Sequence, residues 1–302
     1  MNYLKILCYH GVTNTLSKGI ENYNNKHINY KIFKKQIKKI KKYYNPISMD
    51  EVIMHKRENI KYPKNSIAVT FDDGFKNNYD VAAPILDEHQ IPATFYISTG
   101  YINSTKMFWV DQIEDCINRT KVDSIELKLN NKKNIYKLMS RKQKISSLIS
   151  IKKTLKQTNI VQKEKIIKQI IKQTRINPSS DQSENYKKLT KDNVIELSNN
   201  RLFLIGSHSV NHESMRLLKP KNLKIEIRES IKFLSNLINK RITHYSYPEG
   251  QLNDFSKKVI NEMSNNNIEC CPTALQGSNS HKTDLFKLKR YMIGLDNKLN
   301  II

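Results

Sequence analysis

Cysteine is scarce in this sequence: its 302 residues hold four, at positions 8, 116, 270 and 271. Cys270 and Cys271 are adjacent, none of the four has metal-site spacing, and Cys8 lies within an apolar strand, so a reduced, intracellular set is expected. Long apolar runs are missing as well. No stretch approaches the length of a membrane span, and residues 1–10 (M-N-Y-L-K-I-L-C-Y-H) are too short an apolar run for a signal peptide and read as a first strand. The expectation is a cytoplasmic protein. No internal repeat is visible to argue against a single core. Acidic residues are few, with 28 Asp+Glu against 52 Lys+Arg and a formal net charge of +24. The lysines are spread along the whole chain with many Asn and Ile residues and no aromatic-basic motif, so no specific nucleic-acid partner is expected. A basic surface still attracts anionic glycans, nucleotide sugars or an acidic membrane face, which leaves peripheral contact with a membrane or a lipid-linked glycan open.

What is present is organised around Ser66 to Phe75, S-I-A-V-T-F-D-D-G-F. Ile67, Ala68, Val69 and Thr70 read as a buried strand, and Asp72-Asp73-Gly74 ends it. In a parallel α/β architecture that end of a strand faces the ligand crevice. Two adjacent carboxylates repel each other in a dry site, and a bound cation resolves the repulsion. A second apolar strand, Phe203 to Ser207, runs directly into His208-Ser209-Val210-Asn211-His212. Histidines four apart share a face if the turn is helical, so both imidazoles can reach one ion. Asp73, His208 and His212 then form a three-ligand shell with a position open for water, the mark of a catalytic metal site. Zinc suits these donors first; Co2+, Ni2+, Fe2+ and Mn2+ are also tolerated.

These residues carry a resemblance. Thr70-Phe71-Asp72-Asp73-Gly74, the His208 and His212 pair, and Tyr245-Ser246-Tyr247-Pro248-Glu249-Gly250 resemble the first three motifs of the polysaccharide deacetylases, the NodB-homology or carbohydrate esterase family four. Y-H-G-V at Tyr9 to Val12 and A-T-F-Y-I at Ala93 to Ile97 match in order and spacing, so the resemblance covers nearly the whole chain apart from a middle insertion. It implies an α/β fold, a distorted (β/α) barrel of the NodB-homology type. Because the motif pieces run from the first residues to the last, one catalytic domain over 1–302 is expected, with a helical insertion at about 113–190.

Other candidates sit around this frame. His10, at the end of the opening strand, is either a proton donor or a histidine that closes the barrel by bonding neighbouring loops. Trp109, the only tryptophan, either stacks on a sugar ring or anchors a loop, and Asp111 is a candidate supporting carboxylate. Residues 12 to 30 read as a loop, Asn78 to His89 as a helix, and Ile242 to Pro248, Glu269 to Thr273 and Leu285 to Ile293 as late strands. Within the insertion Ile166, Ile167, Ile170 and Ile171 form a helical stripe, and two or three helices joined by polar linkers are expected, packed outside the barrel or serving as a lid, membrane contact or dimer element.

The chemistry follows from the metal set. Asp72, beside the ion but not spent on it, takes a proton from water as general base. By resemblance, the backbone N–H of Glu249 stabilises the oxyanion, with Tyr247 in the same substrate-binding motif. The sequence departs from the family in two places. Leu288-Lys289-Arg290 stands where a Leu-x-His motif supplies the acid, and Ser246 stands where an arginine braces the catalytic Asp. The two departures compensate if Arg290 orients Asp72 and His10 serves as the acid; otherwise Arg290 is a structural salt bridge closing the barrel. The resulting expectation is a metal-dependent hydrolase that removes N-acetyl groups from amino sugars of a glycan, glycolipid or nucleotide-linked precursor. The alternatives are a metal-retaining glycan-binding barrel and a hydrolase of other non-peptide C–N bonds.

Overall fold

Every residue of the Ser66–Phe71 strand is buried, as expected of a strand with neighbours on both edges and helices on its outer face. Lys5–Tyr9 pairs with it in parallel, Leu7 opposite Val69, and Ala93–Ile97 pairs in parallel on the other edge, Phe71 opposite Phe95. Phe203–Ser207 continues the sheet beyond Ala93–Ile97, and Tyr291–Met292 flanks Lys5–Tyr9. Asn45–Pro46 pairs with the start of Ser66–Phe71. The computed structural model describes residues 2–129 and 132–294; Met1, with which the opening run begins, lies outside them.

Single hydrogen bonds carry the ring onward from the sheet. Ser246 N–H donates to Ser207 O, Tyr245 N–H to Cys270 O, Thr273 N–H to Leu288 O and Ile293 N–H to Cys8 O. This is the distorted barrel. The late strands expected at Ile242–Pro248, Glu269–Thr273 and Leu285–Ile293 shrink to isolated bridges at Tyr245 and Cys270 and the two residues Tyr291–Met292. Pro248 and Pro272 lack an N–H to donate, and Glu249 and Gly250 turn left-handed, so no ladder continues there.

Alternation divides the strands chemically. Leu7, Tyr9, Val69, Phe71, Phe95 and Ile205 join the helices' apolar faces in the main core, including Phe33, Ile37 and Ile40 of Tyr30–Tyr43. The alternate residues Ile6, Ala68 and Leu204 pack with Cys270 and Leu288 in a separate cluster, while Thr70 and Arg290 are joined by a hydrogen bond.

The loop expected over residues 12–30 contains short parallel strands, Gly11–Thr13 and His27–Asn29. The helix expected at Asn78–His89 begins as a π-turn, Asn78–Ala82, in which Ala83 N–H donates to Asn78 O, and continues as Ala83–Glu88. Pro84 has no N–H for the carbonyl four residues back, and the ladder widens by one residue just before it.

The chain divides into two compact units: Met1–Asn14, Asn25–Ser104 and Lys188–Ile302, which holds the barrel, and Thr15–Asn24 with Thr105–Lys187. The second has its own core of Ile113, Leu127, Leu148, Ile151, Ile166 and Ile170 among others. Its α-helices among the described residues are Trp109–Arg119, Arg141–Leu155 and Ile160–Thr174. The expected all-helical insertion is corrected at one place. Ser124–Leu129 and Lys132–Lys137 form an antiparallel pair, because Ile125, Leu127 and Leu129 alternate with exposed Ser124, Glu126 and Lys128 at a period of two. Among the described residues no helix is long and apolar enough to cross a membrane.

Candidate active site

The strand Ser66–Phe71 hands over to Asp72, whose N–H donates to Tyr9 O at 3.0 Å. Asp73 and Gly74 then both adopt left-handed backbone, φ +79° and +78°. At Gly74 a Cβ would lie 2.9 Å from Ile97 Cγ2, so glycine is required there. The turn gives the two carboxylates, each 4% exposed, different partners.

Asp73 meets the histidines. His208 Nε2 lies 3.6 Å and His212 Nε2 3.2 Å from Asp73 Oδ1. One donor atom from each of the three residues falls within 4.8 Å of the others. His208 Nδ1–H donates to Ser246 O at 2.8 Å, which leaves the Nε2 lone pair bare toward Asp73. A carboxylate and two imidazoles, one with its tautomer fixed in this way, fit a divalent first-row ion. Burial works to raise the Asp73 pKa, but Lys26, His208 and His212 outweigh it and hold the carboxyl well below its usual range. Burial likewise opposes charging of His212, yet Asp73 raises its pKa overall.

The histidines do not meet on a helical turn. Ser209 and His212 are left-handed, φ +66° and +56°, and the segment is an irregular loop. Its shape comes from within and from one acid: His212 N–H donates to Ser209 Oγ, while Val210 N–H, Asn211 N–H and the Asn211 amide all donate to the Glu226 carboxylate at 2.6–2.9 Å. Glu226 is 5% exposed on the Pro220–Ile238 helix. Glu226→Ala strands these donors, and unfolding in urea is expected to show a loss of about 2–3 kcal/mol. Zinc competition is expected to show about tenfold weaker binding.

Asp72 faces the barrel interior. Arg290, fully buried, donates from Nη1 to Asp72 Oδ1 at 2.8 Å and from Nη2 to Oδ2 at 2.7 Å. Its other donors go to Ser246 Oγ (2.9 Å), Thr273 O (2.7 Å) and Thr70 Oγ1 (3.3 Å). Burial would raise the Asp72 pKa; Arg290 foremost, then His208, bring it down to about 2. Asp72 is therefore ionised at any ordinary pH.

His10 follows the Lys5–Tyr9 strand, and its Nδ1 is buried with no hydrogen-bond partner among the described residues. Burial lowers its pKa from 6.5 to about 4, against the opposing pull of Asp73. The unfolded chain therefore binds a proton between these values that the folded chain does not, so stability falls as pH drops from 6.5 to 4. In metal-free protein His10→Gln is expected to remove about 3 kcal/mol of this acid sensitivity. Urea midpoints at pH 7 and pH 4.5 check it.

Glu249 and Gly250 are left-handed just after Pro248, and Glu249 adds to the field on His212. Tyr247 is 1% exposed, stacks on Phe255 at 4.5 Å and donates its hydroxyl to Phe286 O. Trp109 lies in the second unit's own core with Lys163 Nζ 5.1 Å above its ring, and Asp111 is buried in the same unit. The structure thus gathers Asp72, Asp73, His208, His212 and Arg290. Two participants lie outside the sequence candidates. Lys26 Nζ is 3.2 Å from Asp73 Oδ2, and nothing distinguishes it among 52 Lys+Arg. Glu226 does leave a signal, an acid inside the buried stripe Leu223, Ile227, Ser230, Leu234.

A carboxylate and two imidazoles gathered where parallel strands end are a set that can hold one divalent ion, the arrangement of donors that metal-dependent hydrolases use. The chain belongs to the polysaccharide deacetylase family, whose model matches residues 59–268. It is similar to poly-β-1,6-N-acetyl-D-glucosamine N-deacetylases of Staphylococcus aureus (34% identical over 98 residues, 32% of each chain) and Staphylococcus epidermidis (37% over 90 residues, 30% of each). The matched stretch spans about a third of the length of these relatives. Its fold is that of the deacetylase PplD of Streptococcus pyogenes, solved with acetate (TM-score 0.61, 18% identity, 96% of this chain and 92% of that one). It also matches IcaB from Ammonifex degensii (TM-score 0.63, 14% identity, 97% and 92%).

Proposed function

We propose that this protein is a metal-dependent N-deacetylase acting on acetylated amino sugars of a glycan, glycolipid or nucleotide-linked precursor. The observation that carries the reading is the paired arrangement at one strand end: Asp73 with two histidines, and Asp72 held ionised by Arg290. Family membership and relatives named for an N-acetylglucosamine polymer support the substrate class. An ionised Asp72 beside the ligand set serves proton transfer, for which a glycan-binding barrel has no use.

Asp73, His208 and His212 would hold the ion, zinc first, which when bound polarises an acyl carbonyl and acidifies water. Asp72 removes the water's proton, and Arg290 fixes the direction in which the carboxylate presents its oxygens. The backbone N–H of Glu249 donates to the oxyanion. His10 begins neutral, because burial lowers its pKa to about 4. It takes up the proton removed by Asp72 and passes it to the departing amine. Full deacetylation by His10→Ala would exclude it from this relay. A cytoplasmic site of action on a precursor is part of the same proposal, drawn from composition.

The test is acetate release from N-acetylglucosamine oligomers and UDP-linked N-acetyl sugars by metal-stripped protein with Zn2+ or Co2+ restored. Metal-dependent release from one of them is expected. Metal-loaded protein inert toward all of them would overturn the assignment.

A further inference from the structure

Asp73 presents its two oxygens to different partners. Both imidazoles approach Oδ1, at 3.2 and 3.6 Å, while Lys26 Nζ approaches Oδ2 at 3.2 Å. Lys26 is set there by local structure. It precedes the His27–Asn29 strand, which pairs with Gly11–Thr13, Gly11 opposite His27. Position 11 must be glycine for this pairing, since a Cβ there would fall 1.9 Å from His27 Nδ1. His27 is held in turn by the Asn77 amide, its Nδ1 2.9 Å from Asn77 Nδ2, and packs edge-on against Phe75 at 4.5 Å. Lys26 Nζ lies 4.5 Å above that same ring, with 16% of the side chain exposed. Cation–π attraction and the ion pair therefore restrain the ammonium from two sides.

We propose that Lys26 is a positioning residue that keeps Asp73 Oδ2 out of the metal's ligand set. This inference rests on the metal-site reading above. A carboxylate free at both oxygens can chelate a divalent ion with both, filling a position that water or substrate needs. Lys26 engages Oδ2 in an ion pair and so favours Oδ1, the oxygen both histidines approach, as the donor to an ion. The arrangement has an opposite consequence for affinity, because a fixed ammonium close to the ion repels it. Lys26 thus weakens metal binding while keeping the coordination shell open.

The experiment is Co2+ titration of metal-stripped protein, read by competition with a chelator and by the visible Co2+ spectrum, for wild type, Lys26→Met, Lys26→Gln and Lys26→Arg. Lys26→Met is expected to bind Co2+ about tenfold more tightly, with weaker visible bands as the coordination number rises. Lys26→Gln keeps a donor to Oδ2 without the charge, so it is expected to bind as tightly as Lys26→Met but retain the wild-type spectrum. Lys26→Arg is expected to match wild type in both. Affinities for Met and Gln within about twofold of wild type, with superimposable spectra, overturn the role of Lys26 alone. Failure of the wild-type chain to bind Co2+ overturns the metal site and this role together. A role confined to folding would move unfolding midpoints without the split between Gln and Met.

Discussion

Arg290→Met is expected to remove about 3–5 kcal/mol of folding stability and to lower acetate release about a thousandfold. The guanidinium is fully buried and makes two hydrogen bonds to Asp72, with further bonds to Thr273, Ser246 and Thr70. Methionine fills much of the volume but leaves Asp72 as an uncompensated charge in a dry interior. The pH dependence separates this cause from a packing defect. In wild type the depressed Asp72 pKa contributes stability above about 3.8 that is lost as pH falls toward 2. In the variant burial remains without its main counterweight, so the Asp72 pKa rises, and the variant regains stability as pH falls through the raised value. Urea unfolding at pH 8 and pH 5 is expected to show the variant closer to wild type at pH 5. Arg290→Lys keeps the charge but loses the planar fork, and should recover stability better than activity.

Asp72→Asn is the second large effect: about a thousandfold slower acetate release, with Zn2+ affinity within about threefold of wild type, because the metal donors sit on Asp73 and the two histidines. Asparagine preserves shape and one acceptor oxygen but cannot take the water's proton. It also leaves Arg290 buried and unpaired, so a loss of about 3 kcal/mol of stability accompanies the change. Combined with Arg290→Met the cost should fall well short of additive, since each variant breaks the same pair. Retained activity in Asp72→Asn would remove Asp72 from proton transfer, while a large loss of Zn2+ affinity would place it among the ligands.

The site was more legible in the sequence than the fold around it, for a physical reason. Asp72, Asp73, His208 and His212 lie where apolar strands stop, and strand ends are visible in local pattern. Arg290 is legible only indirectly, through Ser246 standing where a bracing arginine is usual; the structure shows one side chain touching both Asp72 and Ser246. A four-residue histidine spacing does not tell a helical turn from a loop with two left-handed residues, since both bring the rings together, here at 4.9 Å. The antiparallel pair Ser124–Leu129 and Lys132–Lys137 is obscured by lysines on its exposed face, although its buried Ile125, Leu127 and Leu129 alternate cleanly. The late barrel segments mislead in the opposite sense. Ile242, Tyr245, Tyr247, Cys270, Cys271, Leu288 and Ile293 are buried, as strand residues would be, while prolines and left-handed turns reduce the pairing of these segments to single bonds. Lys26 carries no local signal, because its role depends on Gly11, His27 and Phe75 being folded around it.

The most direct test of the account is acetate release from an N-acetylglucosamine oligomer measured against bound Zn2+ per chain, as metal-stripped protein is refilled. No release is expected from the empty protein, then a rise in proportion to occupancy and a plateau at about one ion per chain, as the three-ligand shell requires. Release that is undiminished in the metal-free protein, or that stays absent at full occupancy on every N-acetylated sugar tried, would contradict it.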